Sequence, residues 1–199
     1  YTEGSVTITP ITAEISWNTS SFVYNGQQQK PAAVVTNLVS SDDQCTVDVT
    51  VNGDAINVGS YTATATGLSN TNYILGTNTT RPYTITAMDV SAYSVEVECG
   101  SKVYTGQGLK PDSVTVRLTK DGNTITLQES EYTIQYALKK AKTPVSSPVD
   151  VGSYYAFVTL KNGGNYQNGT GSSNDALVTD SQVFTIKPSS NSDYQVALT

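Results

Sequence analysis

The chain has 199 residues, with 17 Asp and Glu against 11 Lys and Arg and no histidine, which leaves a formal charge of −6 and a pI near 4.5. An acidic chain lacks the basic footprint of a nucleic-acid binder and gains no attraction to anionic membranes; without histidine, Ser-His-Asp and Cys-His catalysis and histidine metal sites are excluded within this stretch. Charged residues make up only 14%, their place taken by Thr, Ser, Asn, Val, Gly and Tyr, a mix that favours strands and turns over helices, and no apolar run approaches the roughly 18 residues that span a bilayer.

Taken in chain order, SVTITP at 5–10 alternates apolar and polar residues and resembles FTIKP at 184–188, near the other end of the chain. Residues 1–10 are therefore read as the end of a preceding repeat or a lead-in strand. Ala13, Ile15 and Trp17 alternate with polar residues and predict the first strand of a unit spanning 11–87. SFVYNGQQQKP at 21–31 follows, with Tyr-x-Gly marking a strand end and a glycine-permitted turn. Cys45, Val47, Val49 and Val51 share one strand face, and Tyr61, Ala63 and Ala65 share another after the turn Val58-Gly59-Ser60. Asn72-Tyr73 is expected to plug one end of the unit, and YTIT at 83–86 to close it. No Gly/Ser/Pro-rich linker separates that strand from DVSAYSVEVEC, so the join is expected to be stiff.

The same phrases then return. SKVYTGQGLKP at 101–111 repeats 21–31 at an offset of 80. VGSYYAFVTLKNGGNY at 151–166 repeats VGSYTATATGLSNTNY at 58–73 at an offset of 93, and FTIK at 184–187 repeats YTIT at an offset of 101. Three anchors in one order define a second unit at 88–187, with extra residues near 138–150 and 168–180. Within it, Val114, Val116 and Leu118 lead through the turn Asp121-Gly122 to Ile125 and Leu127, a hairpin pattern. Tyr132, Ile134 and Tyr136 alternate in the next strand. Residues 188–199 are read as a tail or the start of a further repeat. The fold class expected is all-β, two tandem immunoglobulin-like β-sandwich domains, with β-grasp-like small sheets as the alternative.

The repeated phrases carry a resemblance. Tyr24-Asn25-Gly26, Gly59-Ser60-Tyr61, Thr71-Asn72-Tyr73 and Tyr83-Thr84-Ile85, with Tyr104-Thr105-Gly106, Gly152-Ser153-Tyr154, Gly164-Asn165-Tyr166 and Phe184-Thr185-Ile186, resemble the MBG/YDG type of bacterial immunoglobulin-like repeat over nearly the whole chain. The resemblance implies a secreted or wall-attached bacterial surface protein, in which such units serve as adhesin stalk or adhesion module, and it carries no catalytic residue to transfer. It implies as partners neighbouring repeats of the same chain and a host glycoprotein, mucin or extracellular polysaccharide. The alternative function is a carbohydrate-binding accessory module of a secreted enzyme. Any export signal or anchor is expected to have been removed or to lie outside this stretch.

Chemistry-bearing candidates are few, and no enzyme, cofactor or metal is expected. Glu96 and Glu98, and Glu129 and Glu131, lie two apart as paired carboxylates might, but solvated strand faces account for them. Asp42, Asp43 and Asp54 provide oxygen ligands without EF-hand spacing. Lys30 and Lys110 recur just before proline, which raises an isopeptide crosslink, although both sit in turns. Asn18, Asn78 and Asn168 begin glycosylation sequons. Cys45 and Cys99 fall in different units and read as small apolar residues. The candidate ligand surface is Lys139, Lys140 and Lys142 of the inserted loop with Tyr155, whose parity points it away from Tyr154.

Overall fold

The computed structural model describes residues 4–169 and 175–190. The chain divides into two compact units, 1–88 and 89–199. Both are β-structures; among the described residues there is no α-helix, only a single 3-10 turn at Glu129–Glu131.

In the first unit the strands are β1 (Ile11–Ala13), β2 (Ile15–Trp17), β3 (Ser21–Val23), β4 (Ala33–Val35), β5 (Val47–Val51), β6 (Gly59–Leu68), β7 (Tyr73–Leu75) and β8 (Thr80–Thr86). The main sheet has the order β3-β8-β6-β5, with β3 parallel to β8 and the other pairs antiparallel. β2 pairs antiparallel with β4, β1 pairs parallel with β7, and a bridge between Val34 and Thr46 leads from β4 toward β5.

One irregularity organises the packing. Asp48 lies opposite Gly67 but Val49 lies opposite Ala65, so Thr66 is an extra residue in β6, a β-bulge. A Cβ at 67 would come within 2.8 Å of an Asp48 carboxylate oxygen, so a larger residue there would push that side chain aside. On one side of the bulge Val47, Leu68 and Cys45 pack with Ala13, Val35 and Tyr73. On the other, Val49, Val51 and Tyr61 pack with Ala55, Ala63, Tyr83 and Ile85. Phe22 meets Tyr83 edge-on with ring centres 5.8 Å apart, a favoured aromatic geometry.

The second unit contains β9 (Met88–Asp89), β10 (Ser94–Cys99), β11 (Lys102–Val103), β12 (Val114–Lys120), β13 (Asn123–Thr126), β14 (Tyr132–Ala137), β15 (Gly152–Leu160), β16 (Tyr166–Gln167), β17 (Leu177–Val178) and β18 (Phe184–Lys187). Its main sheet has the order β11-β18-β15-β14, again with the short first strand parallel to the closing strand. A second sheet has the order β10-β12-β13, and β9 pairs with β16. The β12–β13 turn carries positive φ at both Asp121 (50°) and Gly122 (78°), as a type I′ hairpin requires.

Buried side chains come from both sheets: Val97, Val116 and Leu118 from one, Tyr136, Tyr154, Val158, Phe184 and Ile186 from the other. Phe157 is buried as well, although its parity sets it with Tyr155 on the opposite side of β15. β17 and β18 share one edge of β15, and the buried Thr179 between them receives the Ala156 amide on its hydroxyl and donates to Ser181 O.

Several sequence expectations need adjustment. Residues 4–10 form no strand and are exposed throughout. Glu129 and Glu131 lie on the 3-10 turn rather than on one strand face. Cys45 and Cys99, read as small buried apolar residues, are only half-buried, and both are free thiols. The tail beyond residue 190, and residues 170–174 of the second inserted stretch, lie outside the described residues.

Candidate functional site

Several of the repeated residues make the same backbone and hydroxyl bonds in both units. Gly26 and Gly106 have φ of 77° and 78°, the left-handed region that glycine enters without strain. The amide of Tyr24 donates to Thr86 O and that of Tyr104 to Lys187 O, both at 2.8 Å. Gln29 N donates to Ala55 O and Leu109 N to Pro148 O, both at 2.9 Å. Most telling are the two Gly-Ser-Tyr tyrosines. Tyr61 donates its hydroxyl to Asn57 O at 2.8 Å, and Tyr154 donates to Asp150 O at 2.5 Å, each four residues upstream at the start of the long central strand. Burial and the nearby Asp150 carboxylate raise the Tyr154 pKa, so the ring stays a proton donor.

The Asn-Tyr motif is held differently in the two copies. In the first, Tyr73 is buried, donates to an Asp43 carboxylate oxygen at 2.5 Å and receives Val39 N at 2.9 Å. Asn70 donates to the other Asp43 oxygen at 2.8 Å, so both oxygens are engaged within the protein. The bond to Asp43, with burial, raises the Tyr73 pKa. In the second copy the buried residue is Asn165, whose side chain donates to Glu131 at 2.9 Å. Glu131, read from sequence as one of a carboxylate pair, thus has a framework role, and Glu98 pairs with Arg117 at 2.9 Å. Lys30 donates to Val49 O at 2.7 Å, which occupies the amine that an isopeptide crosslink would need.

The inserted loop of the second unit is ordered by its own hydrogen bonds. Tyr136 and Val145 exchange both amide bonds, at 2.8 and 2.9 Å, and Lys142 N donates to Lys139 O at 3.0 Å. Between them the chain exposes Lys139, Lys140 and Lys142. The structure brings Lys140 and Tyr155 together: the ammonium lies 5.3 Å from the ring centre, a cation–π distance, and 3.4 Å from Asp180. Tyr155 is half-buried with Lys140 over it, not the open aromatic face that parity alone implies. Lys142 instead borders a small cavity of about 160 Å³ with Thr143, Asp150 and Tyr154. Lys139 meets neither.

Sequence reasoning missed a larger feature. In the first unit an open crevice of about 750 Å³ is lined by Ile8, Pro10, Val39, Asp42, Asn72 and Tyr73, among others. Its walls come from three separated segments; Asp42-Asp43 and Asn72-Tyr73 stood out in the sequence, but nothing there showed that they share a crevice.

The chain was compared with known proteins. It matches no family model, no curated protein and no solved structure. Any functional reading therefore rests on its own residues.

Proposed function

We propose that this chain is a non-catalytic extracellular module of a bacterial cell-surface protein, made of two immunoglobulin-like domains of the MBG/YDG kind and serving as adhesin stalk or adhesion domain. The observation that carries this reading is the pair of tyrosine latches. Immunoglobulin-like sandwiches place a tyrosine near the start of their F strand whose hydroxyl bonds back to the backbone a few residues upstream. Tyr61 and Tyr154 do so in β6 and β15. The order β5-β6-β8, with its counterpart β14-β15-β18, follows the C-F-G order of such a sheet. What the two units share is framework rather than reactive groups, as expected of units selected to extend and display.

The partners proposed are neighbouring repeats and a host glycoprotein, mucin or extracellular polysaccharide. Of the eleven Lys and Arg, only Lys30 and Arg81 lie in the first unit. The three loop lysines thus present the densest positive charge on an acidic chain, suited to the sulfate or sialate groups of a mucin. Protease shaving and antibody labelling of intact cells test the setting: a full-length protein sealed inside the cell overturns the reading. Binding of the purified chain to immobilised mucin tests the contact. Alanine at Lys139, Lys140 and Lys142 together is expected to lower it by at least about tenfold, the scale of losing three phosphate-like contacts at moderate salt; unchanged binding removes the loop from the site. The second reading is a carbohydrate-binding accessory module of a secreted enzyme, in which Tyr155 would offer its ring to a sugar once Lys140 moves off it. A glycan array separates the two: selective capture of a neutral plant or microbial polysaccharide favours the accessory module.

A further inference from the structure

The closing strands show what residues 5–9 are made for. β8 lies between β3, its parallel neighbour, and β6, its antiparallel neighbour, and buries Tyr83 and Ile85 to 2% and 1% exposure. β18 lies in the same way between β11 and β15, and buries Phe184 and Ile186 to 0% and 1%. Each reads apolar, Thr, Ile, polar. Val6-Thr7-Ile8-Thr9 follows the same pattern, and Pro10 follows it as Pro188 follows β18. Yet Val6 and Ile8 are 90% and 88% exposed, the two most exposed large apolar side chains among the described residues.

The spacing into the next unit agrees as well. From Ile85 the chain runs three residues to Met88, where β9 begins, and five to Val90, which is fully buried. From Ile8 it runs three residues to Ile11, where β1 begins, and five to Ala13, 6% exposed. β9 and β1 then pair with β16 and β7, the strands that open on the tyrosine of each Asn-Tyr motif. The stretch 5–13 therefore repeats 82–90 at an offset of 77, in residue pattern and in what its downstream half does. Only its upstream half lacks a sheet.

We infer that residues 5–9 form the closing strand of another unit of this same fold, lying between that unit's parallel edge strand and its Gly-Ser-Tyr strand, with Val6 and Ile8 in its core. This rests on the reading of the chain as part of a repeat array and names the partner at this end. Alternating apolar and polar side chains on a segment that pairs with no strand of its own unit are what such an acceptor sheet takes up.

The test compares the 199-residue chain with the same chain extended through whatever its gene encodes before Tyr1. Amide exchange at Thr7 and Ile8 is expected to slow by at least about tenfold in the longer chain, since strand amides of a cooperative unit exchange only by its opening. A smaller change, or a reading frame with no such unit upstream, overturns the inference. A second measurement uses V6D and I8D together. In the longer chain they are expected to abolish the unfolding transition of the added unit, while in the 199-residue chain the transitions stay in place. Equal transitions in the longer chain with and without the substitutions also overturn it. Neither result depends on cell-surface location or mucin binding, so failure of the surface-module reading is seen separately.

Discussion

Replacing Tyr154 by Phe isolates the contribution of the tyrosine latch. The ring is 3% exposed and lies 6.1 Å from Phe184, and phenylalanine keeps that packing. Only the 2.5 Å bond to Asp150 O is lost. The bond joins two neutral groups, and its acceptor belongs to an exposed residue, Asp150. The net cost is then that of an ordinary hydrogen bond, about 1 kcal/mol. For a unit of this size it lowers the melting temperature by about 4 °C. Tyr154→Ala removes the ring as well and is expected to cost about 3–5 kcal/mol. Tyr61→Phe repeats the experiment in the first unit, and the double variant should be additive to within about 0.5 kcal/mol, since the two tyrosines share no partner. Calorimetry in one buffer measures all four. A Tyr154→Phe chain as stable as the parent, or as damaged as Tyr154→Ala, refutes the assignment of the latch.

Gly26→Ala and Gly106→Ala each force a side chain to φ near +77°. The nearest atom to the new Cβ is a tyrosine hydroxyl at 3.9 Å, so the cost is conformational alone, about 1–2 kcal/mol in each unit, read from denaturant midpoints. Alkaline stability follows from Tyr136, buried to 1% and with its pKa raised chiefly by that burial. The unfolded phenol ionises near 10 while the folded one keeps its proton, so the stabilisation is complete below about pH 10 and declines as pH rises beyond it. Guanidinium midpoints between pH 8 and 11 should fall across that window, and Tyr136→Phe should flatten the fall; an equally steep fall without Tyr136 assigns it to other groups.

The parts of the fold readable in the sequence are those set by local rules. Alternation placed Tyr154, Ala156, Val158 and Leu160 on one face, and Asp121-Gly122 fixed its hairpin, because strand period and turn chemistry act between near neighbours. Repetition exposed the two units, since Tyr-x-Gly and Gly-Ser-Tyr answer to the same local geometry each time. The parallel pairing of β3 with β8 and of β1 with β7 left no such trace, because parallel partners lie far apart in the chain. The bulge at Thr66 was invisible for a related reason: it is a property of two strands together. At the candidate site the three lysines were legible as charge, but parity could not show that Lys140 folds back over Tyr155 or that Phe157 is buried beside it. Burial on the second face of β15 is decided by distant segments.

The paired bonds Gln29 N to Ala55 O and Leu109 N to Pro148 O have one further consequence. The second copy houses a longer excursion between β14 and β15 than the first does between β5 and β6, and its clasp closes at the same length. The scaffold thus offers a bay where foreign sequence can be spliced, between Leu138 and Pro144, without touching the joinery on either side. Evolution, or an engineer grafting an epitope, could change what the module presents there while its interior is left as it was.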